Sequence, residues 1–184
     1  MSLKLLTGFK GHGKTVLLTK FLHDDYRKGR DIYSNYGLTF PHKKIDIGWM
    51  LEHPDQMVDA SIGIDEAQTY FDCRCSGTKR NRVFSYLMLQ SRKRGVDIYF
   101  TSQQFENVDI RIRRNIDYLY ECTAYIIENK RLRKANVQEI EAEKIDRVVI
   151  ALFNYTNNKR QRFVFNPKKY FPLYDTNEFV DIIE

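Results

Sequence analysis

Cysteine is scarce in this 184-residue chain: there are three, an odd number. A closed disulfide framework is thereby excluded, and a reducing compartment is expected. Long apolar runs are missing too. The longest, Val148 to Phe153, is far short of the roughly 20 residues that cross a bilayer. No secretory leader is expected, because Lys4, Lys10 and Lys14 interrupt the opening stretch. Internal repeats, linkers and low-complexity tracts are absent as well. Hydrophobic residues at 42% and charged residues at 29% exclude disordered and collagen-like classes. Acidic residues number 24 against 30 basic ones, a formal net charge of +6. That excess favours acidic partners such as nucleic acid without identifying one.

At about 100–200 residues per domain, residues 1–184 are expected to form one domain. Short apolar runs alternate with helical patterns. Strands are expected at Leu3 to Thr7, Asp31 to Asn35, Ser61 to Asp65, Val96 to Ser102, Tyr118 to Ile127, Arg147 to Tyr155 and Gln161 to Phe165. A helix should start near Lys14, carrying Val16, Leu17, Phe21 and Leu22, and stop at Gly29. Val83, Phe84, Leu87 and Met88 mark another, ending at Gly95. Loops with a short helix near Trp49 are expected between Tyr36 and Pro54. A tail from Lys168 should close with a short helix to Glu184; within residues 167–184, the acidic stretch from Asp175 is expected to dock on a basic face, its own chain's or a neighbour's. This alternation predicts an α/β fold, a mainly parallel central sheet flanked by helices.

Residues 8–15 read G-F-K-G-H-G-K-T, matching G-x-x-x-x-G-K-[ST] in full, between a predicted strand and a predicted helix. Gly8 and Gly13 permit positive φ and close approach of phosphate oxygens. Gly11, His12, Gly13, Lys14, Thr15 and Val16 complete the expected nucleotide-binding set: successive N–H groups form an anion nest at a helix N-terminus. Lys14 is the expected charge on the β- and γ-phosphates, and Thr15 the expected hydroxyl on Mg²⁺. The side chains of Lys10 and His12 occupy variable positions and are expected to face solvent.

Ile62 to Glu66 is an apolar strand ending in two carboxylates. Asp65 is expected to hold Mg²⁺ with Thr15, and Glu66 to act as general base on the attacking water. The next strand ends Thr101-Ser102-Gln103. Gln103 is the expected γ-phosphate sensor, with Thr101 and Ser102 behind it, since ligands of open α/β sheets bind at the carboxyl ends of strands. Arg92 or Arg94 is the expected arginine finger, with Arg113 and Arg114 next. Arg74, Arg80 and Arg82 are candidates for nucleic-acid contact. Cys73 and Cys75 lack further ligands at suitable spacing, so no structural metal is expected. Cys122 reads as a small core residue, and Tyr70 or Phe71 as support for the site.

GFKGHGKT, IGIDEAQTYF and QSRKRGVDIYFTSQQFENVDIRIRRN, with YFPLYDTNE in the tail, resemble the Zot-like branch of the FtsK/HerA group of P-loop ATPases. The resemblance covers roughly Leu3 to Glu178. It implies a RecA-like P-loop NTPase fold, with a strand inserted between the phosphate-loop strand and the acidic strand. It also implies ATP as the nucleotide and hexameric rings that move DNA or drive phage assembly. The absence of membrane segments and extra domains looks most like a viral genome-packaging protein. Double-stranded DNA, self-association into a ring and capsid or assembly proteins are then the expected partners, and the host cytoplasm or the virion the expected location. The main alternative is a phage-assembly or export ATPase acting on protein. A small-molecule kinase is an alternative of another class, although it gains little from a water-activating Glu66. A basic nucleic-acid-binding module with a vestigial nucleotide site is a third. A DEAD-type helicase needs two such domains, and the chain has room for one.

Overall fold

The computed structural model describes residues 2–69, 91–135 and 144–175. Their centre is a nine-stranded sheet. The strands are β1 (Leu3–Thr7), β2 (Asp31–Ser34), β3 (Lys43–Lys44), β4 (Ala60–Ile64), β5 (Asp97–Ser102), β6 (Tyr118–Glu128), β7 (Arg131–Lys134), β8 (Arg147–Asn154) and β9 (Lys159–Phe165). Their order is β3-β2-β4-β5-β1-β6-β8-β9, with β7 paired to the outer part of β6. From β3 to β6 every neighbouring pair is parallel. β7, β8 and β9 add antiparallel pairs. β5 lies between β1 and β4, the inserted strand that the resemblance implies.

The residues explain this division. Parallel strands are covered on both faces and so read as continuous apolar runs. β4 is Ala-Ser-Ile-Gly-Ile, with every residue buried. β9 is Lys-Arg-Gln-Arg-Phe-Val-Phe, mostly exposed, as suits an outer strand. On one face of the sheet, α1 (Lys14–Tyr26) seats Leu17, Leu18 and Leu22 with Leu6, Ile32, Tyr120 and Ile150. On the other, Met50 of α2 (Ile47–Glu52) and Ile112 of the short helix Ile110–Arg113 join Leu5, Ile62 and Phe100. Leu22 presses so close to Gly63 that a Cβ there would lie 2.4 Å from its Cδ1.

At the amino end of the parallel strands the polar residues form a buried network. Asp25, near the end of α1, accepts from Tyr99 Oη at 2.6 Å, Ser61 Oγ at 2.9 Å and Lys28 Nζ at 2.9 Å. Lys4 Nζ donates to Tyr99 Oη at 2.7 Å, sits 4.0 Å from the centre of that ring and lies 3.6 Å from Asp97. Arg30 reaches the carbonyls of Ala60 and Gly95 as well as Asp97. Burial pushes the Lys4 ammonium below its ordinary pKa, against the pull of Asp97.

The expected strands are found, with ends shifted by a residue or two. β3 and β7 were not foreseen. Lys43–Lys44 and Arg131–Lys134 are short and charged, so they carry no apolar period to read. The helix expected around Val83 to Met88 lies outside the described residues. Its end, Ser91–Arg94, is a 3₁₀ turn closed by Gly95 at φ +76°. The helix expected up to Glu184 also lies outside the described residues. The tail before it makes 3₁₀ turns at Pro167–Lys169 and Phe171–Leu173 and docks on its own chain. There Leu173 O accepts from Thr39 N at 3.0 Å, and Tyr174 bridges Leu38. No helix of the described residues is long and apolar enough to cross a membrane.

Burial alone would raise the Asp25 carboxyl, but Tyr99, Lys28 and Ser61 hold it below its ordinary 3.8. A depressed folded-state value adds stability above the unfolded value, lost as pH falls through the folded one. Asp25→Asn is expected to cost about 1–3 kcal/mol near neutral pH. It should also flatten the acid loss of stability below about pH 4. Urea unfolding across pH checks both.

Candidate functional site

The chain leaves β1 at Thr7 and turns at once into the glycine-rich loop. Gly8, Gly11 and Gly13 have φ of +146°, +75° and +83°. A Cβ on Gly8 would lie 2.7 Å from the Cys122 carbonyl oxygen, and one on Gly13 would lie 2.7 Å from Val148 Cγ2. Only glycine combines these angles with this closeness. The loop is thus pressed against β6 and β8, and Gly8 N donates to the carbonyl of Gln103 at 3.3 Å.

Lys14 opens α1 and is only 4% exposed. Its ammonium donates to the Phe9 carbonyl across the loop at 3.2 Å, which keeps it inside the curve of N–H groups. Val16 has a buried side chain, so what it offers the loop is its N–H. Phe9 and Lys10 point outward. His12 departs from expectation. Its ring is 3% exposed, packs edge-on against Phe9 at 5.6 Å and hydrogen-bonds the Cys122 carbonyl. The tight seat of the loop on β6 draws the ring inward, and Nε2 has no partner among the described residues. Burial, outweighing the Cys122 hydrogen bond and aided by the charges of Lys134 and Lys14, lowers its pKa and keeps it neutral.

The acidic pair ends β4 beside the loop. Asp65 is 8% exposed. One of its oxygens accepts from Thr15 Oγ1 at 2.9 Å and the other from Thr101 Oγ1 at 2.6 Å. Burial pushes the carboxyl above its ordinary value, the Thr101 hydrogen bond opposes this, and the Glu66 charge adds to the rise. Glu66 is half-buried with φ +49°, a costly angle for a residue with a Cβ. Hydrogen bonds hold it there, among them two from Thr69 to the Glu66 carbonyl. Glu66 N donates to Thr101 Oγ1 at 2.9 Å, and Gln68 Nε2 donates to the Glu66 carboxylate.

Sequence reasoning missed Asn35. Its Oδ1 accepts from Asp65 N at 2.8 Å, and its Nδ2 donates to Asp65 O at 3.0 Å. It also missed Tyr36 and Tyr174, stacked edge-on at 6.3 Å, both lying in the field of Asp65. The signal available was the polar end of β2, Ser34-Asn35, at the same edge as the acidic pair. Thr101, expected behind Gln103, is instead the direct partner of Asp65 and Glu66. Gln103 reaches the loop through its carbonyl, and its side chain is exposed.

The arginines lie elsewhere. Arg94 precedes β5 at the amino end of the sheet, pairs with Asp55 at 3.1 Å, and is a strand length of about 20 Å from the loop. Arg92 belongs to the same turn. Arg113 stacks over Phe105 at 5.4 Å, and Arg114 caps the short helix. Tyr70, Phe71, Cys73, Arg74, Cys75, Arg80 and Arg82 lie outside the described residues.

This donor set suits a polyphosphate with a hard cation. N–H groups, a buried ammonium and a helix N-terminus attract the anion. Thr15 and Asp65 offer oxygen ligands to a small divalent ion. No group of three or more His, Cys, Asp or Glu gathers among the described residues. One carboxylate and one hydroxyl match Mg²⁺, which takes few protein ligands and keeps phosphate and water oxygens. Asn35→Ala leaves a buried N–H and C=O of Asp65 unpaired. It is expected to cost about 1–3 kcal/mol, read from the urea midpoint.

Similarity to known proteins agrees with this geometry. No curated protein matches the sequence. Among solved structures, the N-terminal domain of zonular occludens toxin from Neisseria meningitidis superposes with a TM-score of 0.64 at 19% identity, over 95% of this chain and 98% of that one. The genome packaging NTPase B204 from Sulfolobus turreted icosahedral virus 2, in complex with ATP-gammaS, gives 0.57 at 10% identity, over 88% and 96%. The flagellar accessory protein FlaH from Methanocaldococcus jannaschii gives 0.56 at 12%, over 90% and 84%. These likenesses show that the chain shares the mixed α/β fold of these proteins, one of them an NTPase. The family model described as zonular occludens toxin (Zot) matches residues 40–177, about three quarters of the sequence. With its fold and its family match in agreement, the chain belongs to the Zot family.

Proposed function

We propose that this protein is an ATP-hydrolysing motor that translocates double-stranded DNA, in the manner of viral genome packaging. One observation carries the hydrolase reading: Asp65 and Glu66 are held by a single residue, Thr101, with Thr15 of the phosphate loop on the other side of Asp65. One hydroxyl thus fixes the Asp65 carboxylate and the Glu66 backbone, and Gln68 holds the Glu66 carboxylate. A kinase gains little from a carboxylate that activates water. The packaging NTPase that shares the fold was solved with ATP-gammaS, which supports ATP as the nucleotide.

In this reading residues 1–184 form one ATPase unit. Gly8, Gly11, His12, Gly13, Lys14, Thr15 and Val16 bind the phosphates, His12 through its backbone, with its ring bracing the loop on β6. Lys14 exchanges its Phe9 carbonyl for phosphate oxygens. Mg²⁺, when bound with the nucleotide, neutralises charge on the β- and γ-phosphates. Thr15 and Asp65 hold it. Glu66 accepts the proton of the attacking water, and Gln68 steadies its carboxylate. Gln103 reads the γ-phosphate by swinging in from its exposed position. Arg94 lies too far from its own loop to touch that nucleotide, so Arg92 or Arg94 serves a neighbour's site. That requires a ring, read as a hexamer. Capsid or assembly proteins complete the partners, and the host cytoplasm or the virion is the location.

Glu66→Gln keeps shape and hydrogen bonding but removes the base. Its steady-state ATP turnover should fall about 10²–10⁴-fold with ATP binding retained. Unchanged turnover sinks the assignment. Lys14→Ala should lose nucleotide binding itself. Double-stranded DNA should stimulate the wild-type turnover. Turnover indifferent to DNA in the assembled ring would instead favour a protein as the translocated substrate.

A further inference from the structure

The β6–β7 hairpin has no part in the chemistry above. Tyr125 pairs with Arg147 of β8 on one side and with Lys134 of β7 on the other. β7 therefore lies on the same side of β6 as β1, and beyond its end. β1 stops at Thr7 opposite Glu121, seven residues before β6 ends at Glu128. The phosphate loop fills the notch between β1 and β7. Past it the hairpin projects about 20 Å beyond the carboxyl end of β1.

This arm is stiff and basic. Asn129 and Lys130 have φ of +50° and +62°, the two-residue turn that matches strand twist. Every residue from Ile127 to Lys134 is exposed. Lys130, Arg131, Arg133 and Lys134 stand against one carboxylate, Glu128, which pairs with Arg133 at 3.3 Å. Lys130, Arg131 and Lys134 have no carboxylate partner among the described residues. Arg131 and Arg133 share one face, about 7 Å apart along the strand.

We propose that the β6–β7 arm is a docking surface for the phosphate backbone of double-stranded DNA. The inference rests on the motor reading and names the element that grips the substrate. A fixed row of exposed cations suits a repeating polyanion and needs no base contact. A neighbour's triphosphate would call for one immobilised guanidinium, whereas the arm offers a row of four cations, of which Lys130, Arg131 and Lys134 have no carboxylate partner among the described residues. The arm also rises from the strand on which the phosphate loop rests, so DNA held there lies on the same side of the sheet edge as the nucleotide loop, joined to it through β6.

The test compares the full-length wild type, K130A/R131A/R133A and, as a control of equal charge loss on the outer strand, K159A/R160A/R162A. Lys134 is left intact because it abuts the loop. Binding to a double-stranded DNA fragment is titrated across salt, alongside ATP turnover with and without DNA. The arm variant should bind at least tenfold more weakly, and its log–log salt slope should shrink by about 2–3. Its DNA-free turnover should match wild type, and the β9 variant should bind as wild type does. Unchanged affinity and slope in the arm variant would overturn the proposal. So would equal loss in both variants, which would mean bulk charge. Lost DNA-free turnover would assign the arm to a neighbour's nucleotide. A lowered melting temperature with intact DNA binding would overturn it too, and give the arm a structural role instead. Wild type that hydrolyses ATP without binding DNA would refute the DNA reading itself, before any variant is made.

Discussion

The structure turns on one buried carboxylate. Asp65 takes a hydroxyl from α1 through Thr15 and another from β5 through Thr101, while Asn35 clasps its backbone from β2. Three elements and the strand that carries Asp65 thus share a single point. A charge buried to this depth is tolerated only with its lone pairs filled. Those hydroxyls satisfy it, and they also aim it at the phosphate loop. Burial raises its proton affinity, and the hydrogen bonds from Thr101 and Thr15 oppose that.

The two ends of the parallel strands serve different ends. At the carboxyl end, polar residues gather beside the glycine-rich loop and backbone angles are costly, as at Glu66. At the amino end, Asp25, Tyr99, Lys4, Asp97 and Arg30 neutralise one another in a closed network. α1 runs from one end to the other. Its first residue belongs to the phosphate loop, and its last turn is pinned by Asp25. Displacement of the loop therefore acts on a helix whose far end is fixed.

Much of this was legible in the residues. The phosphate loop, the acidic strand and the buried parallel strands announce themselves because each needs particular residue types at fixed spacing. Thr15 beside Asp65 follows from that pattern alone. Asn35 was not legible, because its role arises from β2 lying next to β4, which is a matter of topology rather than of motif. His12 was misjudged for the same reason. A variable loop position reads as exposed until β6 is known to pass beneath it. Thr101 and Gln103 exchanged prominence because a strand end names the neighbourhood of a contact, not which side chain turns inward. β3 and β7 escaped because pairing, not apolar pattern, makes them strands.

The outer strands limit how copies can meet. β3 is two residues long, both lysine, and β9 presents Lys159, Arg160 and Arg162. Two such margins repel one another, and a two-residue strand offers little ladder to extend. Joining sheet to sheet, the simplest way for α/β proteins to polymerise without limit, is thereby disfavoured at both margins. Closed assembly must be built face to face or loop to loop. Growth into an open fibre is discouraged by these charges.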